Sequence, residues 1–382
     1  MARRNKRRDG CGTLLLLVLL ILIGIGIYGM FIEDGFGKIN TTVPAYRDMY
    51  HTLNEQEQGF YDTLRAMSEN GELTTSLPRA EEGTEVAETV DMEQALTAFC
   101  YDFPEFFWLT GNYTIEEGAE ADTLTLECYE LWKDATTRAE ARDKLTKAAA
   151  KLARRATWKN DPAERLQFVH DRMVLRCNMD FDARNSNAKS EPAKQTARTA
   201  YDSLVLESAE SFGFAKGFQM VMNMLNIHCG YAEGEADGEH AWNYVMLDGE
   251  YYWVDVTLDN PVLTGYSKAI YYDYLLIDDR DLEHTHSVNS LFEYPVCEGT
   301  DKNFFVANGS FLEEYDAEGA AKLIKKLAED HQVISLRFAE EDALEEAIEN
   351  LFDDKKIADI LGRPDVKYEV NEDLYILRIL NK

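Results

Sequence analysis

The sequence predicts an α+β fold, and three observations lead there. Phe214, Phe218, Val221, Met222 and Leu225 recur at three-and-four spacing, the pattern of a helix with one buried face. Asp248-Gly249, a strong two-residue turn signal, stands between two strand-like runs. Beyond Pro295 the chain reads strand, helix, strand, helix and a hairpin-like pair.

The helix and hairpin also bring together three polar side chains. Ser211 lies three residues before Phe214 and seven before Phe218, at the helix N-terminus and on its apolar side. There a nucleophile gains from the positive end of the helix dipole. Counting back from the turn, Leu247 faces Glu250, Trp242 faces Asp255 and His240 faces Thr257. Side chains alternate along a strand, so His240 and Asp255 share a face as diagonal neighbours. A carboxylate at that spacing orients an imidazole, and an imidazole beside a helix N-terminus serves as a base. Ser211, His240 and Asp255 therefore have the pattern of a catalytic triad. Singly, each has a plainer role: Ser211 as a helix N-cap, His240 as a packed core histidine, Asp255 as an acceptor for turn backbone.

The segments Gly213-Phe-Ala-Lys-Gly-Phe-Gln219, Gly238-Glu-His-Ala-Trp-Asn-Tyr-Val245 and Tyr251-Tyr-Trp-Val-Asp-Val-Thr-Leu-Asp-Asn-Pro261 resemble the bacterial transglutaminase-like superfamily. That resemblance implies a papain-like core, a nucleophile helix packed on an antiparallel β-sheet, with a Cys-His-Asp triad. His240 and Asp255 match the family histidine and aspartate. The family cysteine sits in a Cys-x-Gly-aromatic-Ala-Lys context, which here reads Ser211-Phe-Gly-Phe-Ala-Lys216. Leu258 and Asn260 stand where the family usually has tryptophan and aspartate. The resemblance covers roughly residues 160–290.

A serine in a cysteine's seat changes the chemistry. A thiol beside imidazole ionises near neutral pH, and a hydroxyl does not. Serine needs its base in line during attack and a well-placed oxyanion hole. A misplacement of about 1 Å costs on the order of a hundredfold in rate. The expectation is lost catalysis, with the remnant cleft binding a peptide, cell-wall or protein ligand. The alternative is an amide hydrolase or acyltransferase using Ser211, His240 and Asp255. A pure scaffold is the third reading.

At the N-terminus, Arg3, Arg4, Lys6, Arg7 and Arg8 precede an uncharged apolar run from Thr13 to Ile32. Twenty residues at 1.5 Å each span about 30 Å, a bilayer's hydrocarbon thickness. Basic residues stay inside, so the reading is a cytoplasmic tail (1–12), a signal-anchor helix (13–32) and an extracytoplasmic remainder. That remainder divides into an N-terminal region (33–150), a transglutaminase-like core (151–290) and a C-terminal α+β domain (291–382). The chain carries 39 basic and 70 acidic residues. Five basic and one acidic residue precede position 33, which leaves the rest at net −35 and excludes nucleic acid as a partner. The six cysteines are scattered without a CxxC pair, so neither a metal site nor a cofactor is expected.

Residues 40–70 read as a polar, helix-prone stalk or first helix, 71–90 as a loop or linker, and Asp91–Tyr101 as a short helix. The aromatic run Asp102–Leu109 reads as core, followed by strands near 112–114 and 123–132. Helices are expected over 133–157 and 162–177. His170 and Asp171 read as structural, residues 183–195 as a loop bordering the cleft, and His284 and His286 as loop residues. Asn303–Phe311 reads as a strand, with helices over 317–330 and 340–351, a strand over 333–338, and closing strands over 366–370 and 374–380.

Overall fold

The computed structural model describes residues 39, 46–78, 90–180, 197–260 and 269–381. The expected tail and anchor (1–32) and the loop at 183–195 lie outside them. Among the described residues no helix is long and apolar enough to cross a membrane.

The fold is mixed α+β. A helix at Glu55–Glu69 starts at Asn54, whose side chain accepts from the Gln56 and Glu57 amides while Glu57 returns a bond to the Asn54 amide. Next comes β1 (Thr74–Pro78), inside the stretch expected to be a loop. Thr-Thr-Ser-Leu suits a half-covered edge strand, and it pairs antiparallel with β3. The helix Met92–Asp102 and strands β2 (Leu109–Glu116) and β3 (Ala121–Cys128) follow, giving a three-stranded sheet in the order β1-β3-β2. The aromatic run is core, as read: Phe103, Phe106, Phe107 and Trp108 are all buried.

Two helices, Ala135–Ala156 and Pro162–Arg176, lead to the short parallel pair β4 (Asn178–Met179) and β5 (Ser208–Ala209). The helix Ser211–Met224 then packs against a five-stranded antiparallel sheet. That sheet has the order β10-β6-β7-β8-β9, with β6 at Cys229–Glu235, β7 at Glu239–Leu247, β8 at Glu250–Val254, β9 at Leu275–Ile277 and β10 at Ser287–Val288. Asp248 (φ 54°) and Gly249 (φ 93°) both take the left-handed conformation that a tight hairpin turn demands.

The C-terminal part has its own apolar cluster, which includes Ile324, Leu336, Phe338, Leu351 and Ile379. Its sheet runs β11-β12-β14-β13, from Phe311–Leu312, Val333–Phe338, Ile376–Leu380 and Lys367–Asn371. The expected strand at 303–311 is instead a short helix, Phe304–Asn308. Asn303 caps its start through the Phe305 amide, and Gly309 (φ 74°) ends it. A helix at Lys356–Leu361 had no counterpart in the sequence reading. Arg337 grips Asp281, and buried Arg378 bonds Asp273, so this part is tied to the segment that follows the hairpin.

Candidate functional site

The hairpin pairs in the register read from its turn, from Leu247↔Glu250 to Asn243↔Val254. The ladder stops there. Asp255 leaves the strand with its N–H donating to Tyr274 O, and its Oδ1 accepts from the Thr257 and Leu258 amides at 2.7 and 3.1 Å. These bonds fix the carboxyl and aim Oδ2 back toward β7. His240 Nε2 donates to Oδ2 at 2.6 Å, and both residues are buried. Burial works to raise the Asp255 pKa, yet His240 and a second imidazole hold it well below the usual carboxylate range. An ionised carboxylate only accepts, so Nε2 carries the proton. Nδ1 has no hydrogen-bond partner among the described residues.

The second imidazole is His286, expected to be an ordinary loop residue. His284 fits that expectation, exposed at the end of the helix Asp279–Glu283. His286 does not. Its ring is buried, its Nε2 stands 3.2 Å from the same Asp255 Oδ2, and its Nδ1 is 2.8 Å from Thr285 Oγ1. It arrives from β10, beyond β6 on the far edge of the sheet, where Val288 pairs with Gly234. A methyl at Gly234 would overlap the Ser287 carbonyl, so glycine there admits the strand that delivers His286. The rings of Trp242 (4.7 Å) and Tyr274 (5.3 Å) hold it edge-on.

Ser211 is the first residue of its helix, buried at 4% exposure, and does not cap it. The cap position falls to Glu210, whose side chain makes no capping bond. The Ser211 hydroxyl has no hydrogen-bond partner among the described residues. The helix is locked to the sheet by buried Asn243, whose Nδ2 donates to Ala215 O (3.0 Å) and Gly230 O (2.9 Å). Its first turn also packs tightly on what precedes it. A Cβ at Gly213 would lie 2.8 Å from both Ala209 Cβ and Thr199 O. Outside the site, Arg198 bonds Glu210 (3.0 Å) and Glu239 (2.8 Å), the residues directly before Ser211 and His240, and lies 3.7 Å over the Phe212 ring.

A cavity of about 300 Å³ opens beside Phe212, lined also by Cys100, Tyr129, Arg198, Lys216 and Glu233. A larger one, about 770 Å³, lies at the far end of the same helix by Met220 and Met224, away from these groups. The five described cysteines are all free, and burial raises the pKa of each.

His170 belongs to a neighbouring cluster. Fully buried, it faces Asp171 through Nδ1 and Asp259 through Nε2, each at 3.1 Å. Asp259 Oδ1 also accepts from the Tyr274 amide. The carbonyl of Tyr274 accepts from Asp255, so this cluster braces the turn that carries the site.

No family model and no curated protein matches the chain. Among solved structures, one described as a crystal structure of a TGase is similar, with 14% identity and a TM-score of 0.30. The alignment takes in 56% of this chain and spans about three fifths (59%) of that one. A likeness of that size does not establish a shared family.

Proposed function

We propose that this chain is a transglutaminase-like protein whose papain-like core has Ser211 in the nucleophile seat, His240 as the family histidine and Asp255 as its aspartate. On this reading it is anchored by residues 13–32 and extracytoplasmic from residue 33. Its cleft takes a peptide, a peptidoglycan stem or a partner protein without turning it over. The observation that carries this reading is the 2.6 Å His240–Asp255 bond. It leaves Nδ1 as the nitrogen available to a neighbour, in a core where a helix beginning at Ser211 is pinned to the same sheet through Asn243. A hydroxyl does not ionise near an imidazole as a thiol does, so the constellation serves binding better than attack.

The test compares native chain, Ser211→Ala and Ser211→Cys, in detergent, on a panel of peptides and cell-wall fragments. Turnover by the cysteine variant alone is the expected result. Turnover by the native chain, abolished in Ser211→Ala, replaces this reading with a serine hydrolase or acyltransferase. Silence from all three, with no peptide bound, favours a scaffold.

A further inference from the structure

We propose that His240, Asp255 and His286 form a binding site for one divalent transition-metal ion of the zinc class. This goes beyond the ligand-binding reading and does not depend on it. The three donor atoms come from three separate segments, are buried, and lie within 4.8 Å of one another. Two imidazoles and one carboxylate are a donor set that suits zinc and its neighbours, and not magnesium or calcium. Three protein ligands leave a fourth tetrahedral position open.

The spacing and the surroundings fit this use. Two donors about 2.1 Å from a tetrahedral ion lie roughly 3.4 Å apart. His286 Nε2 and Asp255 Oδ2, at 3.2 Å, already have that separation. The 2.6 Å contact of His240 must open by less than about 1 Å, and the two ring nitrogens, within 4.8 Å of each other, must settle at the same spacing, which rotation of the His240 side chain can supply. Metal binding requires each ring to move its proton from Nε2 to Nδ1, with no net proton lost. For His286 the Thr285 hydroxyl, 2.8 Å from Nδ1, accepts from one tautomer as readily as it donates to the other. For His240, Nδ1 has no described partner and is free to take the proton. Asp255 is held in place from its other oxygen by two backbone amides, the kind of outer support that ligating carboxylates use.

The experiment uses the full, untagged chain in detergent, stripped with a chelator and titrated with Zn2+ by calorimetry. Co2+ serves as a parallel absorption probe. One equivalent of Zn2+ per chain is expected, with the intense visible bands of a low-coordinate Co2+ site. His240→Gln and His286→Gln should each weaken uptake by at least ~10-fold. His284→Ala, on an exposed side chain two residues away, should leave it unchanged. Thermal melts check the fold of each variant, and if His286→Gln does not fold, His240→Gln decides. No uptake by the native chain, or uptake that survives His240→Gln, overturns the proposal. Because only chain and metal are present, either result is separate from whether peptides bind.

Discussion

Two buried histidine–aspartate clusters stand on one turn, four residues apart, and differ in stoichiometry. At Asp255 one carboxylate serves two imidazoles. At His170 one imidazole serves two carboxylates, Asp171 and Asp259. The count decides protonation. Both His170 nitrogens face acceptors, so the ring carries both protons. Burial opposes that charge, but the two carboxylates overcome it and raise the pKa to about 9. At Asp255 one ionised carboxylate oxygen accepts from both rings, each through a single nitrogen. One cluster is a locked ion pair, and the other keeps a ring nitrogen in reserve. The same residue types thus build a brace in one place and, in the other, a cluster that leaves His240 Nδ1 unengaged among the described residues.

The largest expected effect comes from breaking the brace. Asp259→Ala leaves the buried His170 charge facing only Asp171, whose side chain is 26% exposed. Removing one member of a buried pair costs about 3–5 kcal/mol. Chemical denaturation of the chain measures this, and a change below about 1 kcal/mol, the scale of an exposed pair, would sink the locked-pair account.

The two clusters should also fail at opposite ends of the pH scale. The His170 pKa rises on folding from the ordinary 6.5 to about 9. Its stabilisation is therefore complete below pH 6.5 and is lost as pH climbs to about 9. The Asp255 pKa falls on folding, so its contribution is present above the ordinary carboxylate value and is lost in acid. Denaturation midpoints followed against pH should flatten on the alkaline limb in His170→Gln and on the acid limb in Asp255→Asn. Identical alkaline limbs in native chain and His170→Gln would refute the assignment.

His286→Phe sharpens the comparison from the other side. It keeps the ring packing against Trp242 and Tyr274 but removes one donor from Asp255. Asp255 retains His240 and two amides, so the expected cost is about 1–2 kcal/mol, less than at Asp259. A cost above that of Asp259→Ala would mean that His286, not His240, is the carboxylate's principal partner.

What the sequence made legible follows from contact range. The Asp248-Gly249 turn sets a local register, and residues within it could be placed on a face by counting. The His240–Asp255 bond is such a case. His286 and the His170–Asp259 pair were not reachable that way. One is delivered by a two-residue strand on the opposite edge of the sheet, and the other joins positions 89 apart. No periodicity marks either. Local chemistry also misled where it was ambiguous. Asn303–Phe311 has strand-like residues, but Asn303 and Gly309 are a helix cap and a helix stop, and they prevailed. In the expected linker, Thr74–Pro78 becomes a strand because β3 offers it an edge.

The smallest effect on stability belongs to Arg198, and it separates holding from folding. Its partner Glu239 is solvated, with Arg198 36% and Glu239 69% exposed, whereas Glu210 is 11% exposed. Arg198→Met should therefore cost about 1 kcal/mol, less than either fully buried cluster. Yet the two carboxylates it joins directly precede Ser211 and His240. Removing the guanidinium takes a positive charge from beside two acidic groups near the helix start. In a Ser211→Cys chain that environment disfavours the thiolate, so the pH midpoint of thiol alkylation should move upward when Arg198→Met is added. The pairing of a small stability change with a clear shift in that midpoint would identify Arg198 as a positioning residue. A midpoint that stays fixed would reduce it to a surface ion pair and leave the geometry of Ser211 and His240 to Asn243 and Gly213 alone.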